Sequence, residues 1–301
     1  MVKNKMVMWL VWQALVGLLS FGSVLQACTP VQPDPIEPSD LSEYALDWAD
    51  EFDVPGVPDP TKWGFEEGFI RNQEVQWYQR ENAWCEGGSL IVEARKEHKE
   101  NPNYDENSTN WKTSRQYIEY TSASLLTEGL KDFCYGIIEF KARIPVGPAA
   151  WPAIWTTGSE MPWPWNGEMD MMEFYRTKEG PVLFANFFWT GDNEDDIRDN
   201  TVETPLSHFT AKDAGWGDKF HVWRVEWDKE TIRIFVDGEL LNTGVLREMM
   251  NGGDYKGKCP FMHPHKMRVN LALRNKNYDS AESAALPYRM EVDYIRYYKK
   301  K

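Results

Sequence analysis

The chain has 301 residues, and its 47 Asp and Glu against 33 Lys and Arg leave a formal net charge of −14. Nucleic acid needs a basic footprint on its partner, so this balance excludes it. It also disfavours sulfated or uronic polymers unless a local basic patch overrides the average.

In chain order, Lys3 and Lys5 precede an apolar run from Met6 to Gly22, followed by Leu25-Gln26-Ala27-Cys28. A charged start, a short hydrophobic stretch and small residues before a cut site describe an export signal. The run is also nearly long enough for a membrane anchor helix. Leu-x-Ala-Cys resembles the lipobox of bacterial lipoproteins. That resemblance implies removal of residues 1–27, lipidation of Cys28, and a lipid-anchored protein on the outer membrane or cell surface, with the periplasmic side left open. Residues 28–43 carry Pro30, Pro33, Pro35 and Pro38 among acidic and polar residues, and read as an extended tether. Residues 44–301 contain no second linker and no internal repeat, so one domain is expected, as a monomer.

Short alternating or apolar runs separated by turn residues dominate this domain. They include Ser89 to Arg95, Phe133 to Ile144, Val182 to Trp189, His221 to Trp227, Thr231 to Val236, Lys266 to Leu273 and Tyr288 to Tyr298. Trp227 to Thr231 reads as a hairpin loop, and Asp237-Gly238 supplies the residues of a tight turn. Only Thr243 to Asn251 has helical spacing. Many strands with little helix point to an all-β sandwich or barrel. With Cys28 lipidated, Cys85, Cys134 and Cys259 remain; their spacing fits no zinc pattern, and free buried thiols are expected. Tryptophan is the compositional outlier, with 15 residues. Any single one is expected in the core, but such density, with Trp151, Trp155, Trp163 and Trp165 clustered, suits stacking on the C–H faces of sugar rings.

The most informative stretch is Glu168-Met-Asp170-Met-Met-Glu173. On a strand Glu168 and Asp170 share a face, whereas Glu173 would point the other way. One β-bulge between Asp170 and Glu173 restores the phase and puts all three carboxylates on one side. Repulsion there keeps at least one protonated near neutral pH, as a pair of glycosidase carboxyls requires. A solvated acidic strand is the simpler alternative, but the Met and Trp surroundings argue against it.

Trp151-Pro-Ala-Ile-Trp155 followed by Gly167-Glu-Met-Asp-Met-Met-Glu-Phe-Tyr175 resembles glycoside hydrolase family 16, in its laminarinase and lichenase-like branch. Further similar segments occur in the family's order. They are Asp50-Glu-Phe-Asp53, Asn72 to Tyr78, Gly87 to Arg95, Tyr135 to Glu139 and Glu291 to Tyr297. The resemblance implies a two-sheet β-jelly-roll sandwich with an open concave substrate cleft. It implies a retaining endo-β-glucanase acting on β-1,3- or mixed β-1,3/1,4-glucan without an organic cofactor. Glu168 matches the nucleophile, Glu173 the general acid/base and Asp170 the assisting carboxylate. Asn72, Glu139, Trp151, Trp155 and Asn270 match cleft positions. Some members hold a structural calcium through backbone oxygens near the Asp50 and Gly87 segments and through the Asp of the Glu291 segment, and Glu51, Gly88 and Asp293 occupy the matching positions here. Lys141 stands where relatives usually carry Arg, which loses a bidentate donor. Arg274 to Tyr278 replaces the glycines usual after the Asn270 strand, and with Arg71 and Arg176 it suggests a basic patch for a modified galactan. The alternatives are therefore a galactan hydrolase of agarase or porphyranase type, a transglycosylase, and a glycan-binding lipoprotein without catalysis.

Overall fold

A computed structural model describes residues 36–301, so the export signal, Cys28 and the first part of the tether lie outside the described residues. The domain is built from two antiparallel sheets, apart from one short parallel pairing. Seven strands form the first sheet, in the order Ile197–Pro205, Pro181–Thr190, Glu168–Arg176, Ala150–Gly158, His265–Leu273, Ser124–Leu126 and Gly64–Phe65. The second has ten, running from Glu239–Val245 at one edge through Thr231–Val236, His221–Trp227, Gly136–Arg143, Tyr288–Lys300 and Ser89–Glu100. All the strand segments read from alternation are present, and the architecture is the expected all-β sandwich.

Alternation dictates the packing. Leu90, Val92, Phe140, Trp223, Val225 and Ile295 turn inward from the ten-stranded sheet. They meet Ile154, Met169, Phe174, Leu183, Phe187 and Leu271 from the seven-stranded one in a single buried cluster. Each such large side chain contributes roughly 1.5–3 kcal/mol on leaving water. The residues between them in sequence face outward, so each sheet has one outer surface, and the two surfaces lie on opposite sides of the molecule.

The turns follow their residues. Asp237 and Gly238 adopt φ of 48° and 82°, the left-handed pair that a two-residue hairpin needs. Asp228 accepts from the backbone N–H groups of Glu230 and Thr231 and closes the other expected hairpin. The helix expected over Thr243 to Asn251 is absent. Thr231 and Arg233 pair with Val245 and Thr243, extending the Glu239–Val245 strand, and only a single 3₁₀ turn follows at Leu246–Glu248. Ladder pairing and burial of Leu246 override the apolar spacing. The one α-helix among the described residues is Leu206–Thr210. Cys85, Cys134 and Cys259 are free thiols. Burial pushes Cys85 and Cys259 up to about 11, which keeps them protonated and inert.

The chain enters this body across its ten-stranded side. Ser39 donates through its backbone N–H and its hydroxyl to Glu226, and its carbonyl accepts from Arg224 Nη1 at 3.0 Å. Arg224 and Glu226 alternate with the inward-facing Trp223 and Val225, so they stand on the outer surface of that sheet.

Candidate active site

The carboxylate strand Glu168–Arg176 sits near the middle of the seven-stranded sheet. Gly167 leads into it at φ 69°, and a Cβ there would lie 2.6 Å from the Cβ of Pro260. Only glycine permits this entry. From Asp170 to Glu173 the neighbouring strand advances two residues, Asn186 to Phe184, while this strand advances three. The extra residue is the required bulge, and it falls at Met171 and Met172, both fully buried. Glu168, Asp170 and Glu173 therefore share the outer face, while Met169 and Phe174 fill the core.

Cross-strand register then assigns each carboxylate a row. Glu168 stands opposite Thr157, and Thr157 opposite Lys266. Asp170 leads to Trp155 and Arg268, and Glu173 to Ala153 and Asn270. These rows floor a cleft of about 580 Å³, bordered by the 66–74 loop and by Met161, Pro162 and Trp163 of the connection leading into the carboxylate strand. Trp163 is 49% exposed, an apolar surface available for stacking.

Hydrogen bonds fix the reacting groups. Glu173 accepts from Trp151 Nε1 at 2.7 Å and from Asn186 Nδ2 at 3.3 Å. The same Asn186 amide donates to Asp170 Oδ2 at 3.1 Å. Trp155 donates to Asn270 Oδ1 at 2.7 Å, Asn270 donates to the Tyr78 hydroxyl at 3.2 Å, and Tyr78 donates to the buried Glu74 at 3.1 Å. Asn72 also donates to Glu74, at 3.3 Å. Of the expected cleft residues, Asn72, Trp151, Trp155 and Asn270 all line it.

Burial is the main force on the three carboxyls, raising all of them above the usual carboxylate range. Glu168 is raised further by Glu173, and Asp170 by both glutamates. Cations oppose this at the two ends: Arg71 and Arg268 act on Glu168, and Arg274 acts on Glu173. The trio thus retains protons near neutral pH and can supply both an acid and an anion.

Arg71, Arg268 and Arg274 seat on tryptophans that line the cleft. Arg71 and Arg268 lie over Trp155, 5.2 and 4.9 Å from its ring centre, and both pair with Glu66. Arg274 lies over Tyr175 at 3.9 Å and Trp151 at 5.3 Å.

Glu139 does not belong to the cleft, contrary to expectation. Its neighbours Ile138 and Phe140 face the core of the ten-stranded sheet, so Glu139 points to that sheet's outer surface. There it accepts from Arg224 and from the Tyr294 hydroxyl, the latter at 3.0 Å.

Two side chains at the family's calcium position, those of Asp293 and Glu51, are ion-paired. Asp293 pairs with Lys141 Nζ at 2.5 Å, and both Glu51 oxygens accept from Arg296 at 2.8 and 2.7 Å. Among the described residues no three His, Cys, Asp or Glu side chains converge to hold a metal. These pairings engage side chains only and do not involve the backbone oxygens of Glu51 and Gly88, the expected calcium ligands; no step below runs through a metal.

Several site residues escape the sequence reading: Asn186, Glu66, Glu74, Tyr78 and Arg268. Asn186 carried a signal, being the single amide in the otherwise apolar Phe184-Ala-Asn-Phe-Phe188.

Residues 72–296 match the profile of "Glycosyl hydrolases family 16". A β-glucanase of Rhodothermus marinus is 32% identical over 297 residues, covering 92% of each chain. A structure from work on endo-acting O-glycanases, which members of the human gut microbiota express to initiate mucin breakdown, is 29% identical. It has a TM-score of 0.75 over 86% of this chain and 92% of the other. A serine variant of SCLam, a non-specific endo-β-1,3(4)-glucanase of family 16, is 30% identical with a TM-score of 0.66. The alignment covers 88% and 97% of the two chains, and that structure presents a 1,3-β-D-cellobiosyl-glucose at its active site. With the bulged carboxylate strand, the tryptophan-lined cleft and these similarities together, the chain belongs to glycoside hydrolase family 16.

Proposed function

We propose that this family member is a retaining endo-β-glucanase that cuts β-1,3-linked or mixed β-1,3/1,4-glucan. The observation that carries the mechanism is the bulge, which sets Glu168, Asp170 and Glu173 on one face of the cleft floor. Glu168 attacks the anomeric carbon while Glu173 protonates the departing glycosidic oxygen. Glu173 then takes a proton from the water that cleaves the glycosyl–enzyme ester. Arg71 and Arg268 pull Glu168 toward its anion, against the burial and the Glu173 charge that hold it at about 8. That is above Glu173 at about 7, so Glu168 must give up a proton before it attacks. Trp151 and Asn186 hold Glu173 in line through two bonds to its two oxygens. Burial and both glutamates push Asp170 toward its neutral form, which limits the charge beside the nucleophile.

The β-glucanase and SCLam relatives support a glucan substrate. A second reading, a galactan or mucin-type glycan, draws on the two guanidinium groups over Trp155 and on the O-glycanase likeness. One panel separates them: laminarin, barley glucan, agarose, porphyran and mucin O-glycans. The glucan reading expects a spread of short oligosaccharides from the first two, with the β anomer first in proton NMR. Cleavage confined to the last three substrates overturns the glucan assignment, and an initial α anomer overturns retention.

Attachment through Cys28 rests on the lipobox resemblance. It expects fatty-acid labelling of the native chain and none in Cys28→Ala, which should appear in the soluble fraction. Equal labelling of both chains defeats it.

A further inference from the structure

Arg71, Asn72 and Glu74 reach the cleft from a loop with an unusual backbone. Asn72 and Gln73 are consecutive non-glycine residues at φ 55° and 53°, and both are exposed. The left-handed region is unfavourable for side-chain-bearing residues, so such a turn persists only when something outside it holds it. That hold comes from Arg115, on the separate loop between Glu100 and Tyr117. Its Nη1 donates to the Glu74 carbonyl at 2.7 Å and its Nη2 to the Gln73 carbonyl at 3.2 Å. The guanidinium lies 4.7 Å from the Phe69 ring centre and 5.0 Å from that of Trp111, an aromatic seat at the base of the turn. The Arg115 loop is itself braced, with Asn101 Nδ2 donating to the Lys112 and Arg115 carbonyls at 3.1 and 2.8 Å.

We propose that Arg115 is a positioning residue for the substrate cleft, gripping the left-handed turn so that Arg71 and Asn72 are held against the bound polysaccharide. Arg115 is not among the residues lining the cleft, so it acts through the turn. A planar fork presents separate N–H groups in fixed geometry to two successive carbonyls, a fit that the single nitrogen of an ammonium reproduces only in part. The cost of its loss therefore falls on substrate binding and leaves the carboxylates on their strand untouched.

The inference rests on the glycosidase reading, and its test has one readout independent of substrate. Hydrogen exchange of the Asn72–Glu74 amides should quicken by about tenfold in Arg115→Ala, the worth of one charge-assisted hydrogen bond. The carboxylate strand should exchange as in the parent. On whichever polymer of the panel the parent cleaves, KM should rise by roughly tenfold with kcat within about twofold. Arg115→Lys should fall between the two. In a background of Arg71→Ala with Asn72→Ala, the further change Arg115→Ala should add less than about twofold, because the side chains that the turn presents to the substrate are gone. Unchanged loop exchange overturns the proposal, as does a fall in kcat at constant KM or a full tenfold effect in the double background. Should Arg115→Ala not fold, the same two readouts on Arg115→Lys decide. Failure of the parent on every glucan would sink the substrate reading alone.

Discussion

Neutralising Glu173 should make the protein more stable at alkaline pH and leave it unchanged at acid pH. Burial pushes the Glu173 carboxyl from 4.5 to about 7, against the pull of Trp151 and Arg274. The folded state therefore holds a proton that the unfolded chain releases above about pH 4.5. The associated stability is fully present below that pH and is lost as pH rises through 7. At 1.36 kcal/mol per pKa unit, the shift limits the effect to about 3 kcal/mol. Repulsion shared with Glu168 and Asp170 reduces what a single substitution recovers, so about 1–3 kcal/mol is expected. Glu173→Gln keeps an oxygen to accept from Trp151, and Asn186, whose Oδ1 has no partner, can turn to accept from the new amide. For a domain of this size the gain is about 2–8 °C in Tm. Thermal and urea unfolding of parent and Glu173→Gln at pH 5 and pH 8.5 measure it. A gap of equal size at both pH values, or a less stable variant at pH 8.5, would refute the electrostatic account.

Azide separates the two glutamates. Glu173→Ala should still form the intermediate from an activated aryl glycoside and, with azide, give the β-glycosyl azide. Glu168→Ala should give the α product, and the opposite outcome reverses the roles. Loss of the shared amide in Asn186→Ala should lower kcat by roughly 10- to 100-fold while the fold survives, and circular dichroism with steady-state rates checks this; an unchanged kcat would remove Asn186 from the site. Gly167→Ala should cost about 2–4 kcal/mol, combining left-handed strain with the Pro260 contact, and should impair the adjacent Glu168. Unfolding midpoints and residual activity report both effects, and a neutral substitution would show that the turn can relax.

The strands and the carboxylate face were legible because both follow from a period of two. Glu168 and Asp170 share a face by alternation alone, and the Met171-Met172 pair marks where an extra buried residue must fit. Sequence does not say which sheet a strand joins. Glu139 was misplaced for that reason, since an outward residue of the ten-stranded sheet faces away from the cleft. Asn270 reaches Trp155 through a register between strands 115 residues apart, which no local pattern encodes. The Arg115 grip spans 41 and 42 residues and ends on carbonyl groups, which leave no trace in side-chain pattern. Thr243 to Asn251 misled because apolar spacing over one turn also suits a strand running into a 3₁₀ turn.

The fastening of Ser39 to Glu226 and Arg224 gives the molecule a back and a front. Tension on the chain ahead of Ile36 meets this clip first and next the pairing of Tyr44 with Lys300, where the first strand zips along the last. Neither lies in the sheet that carries the carboxylates. A load applied at Ile36 would thus be borne by the ten-stranded sheet, leaving the carboxylate-bearing sheet out of the line of force.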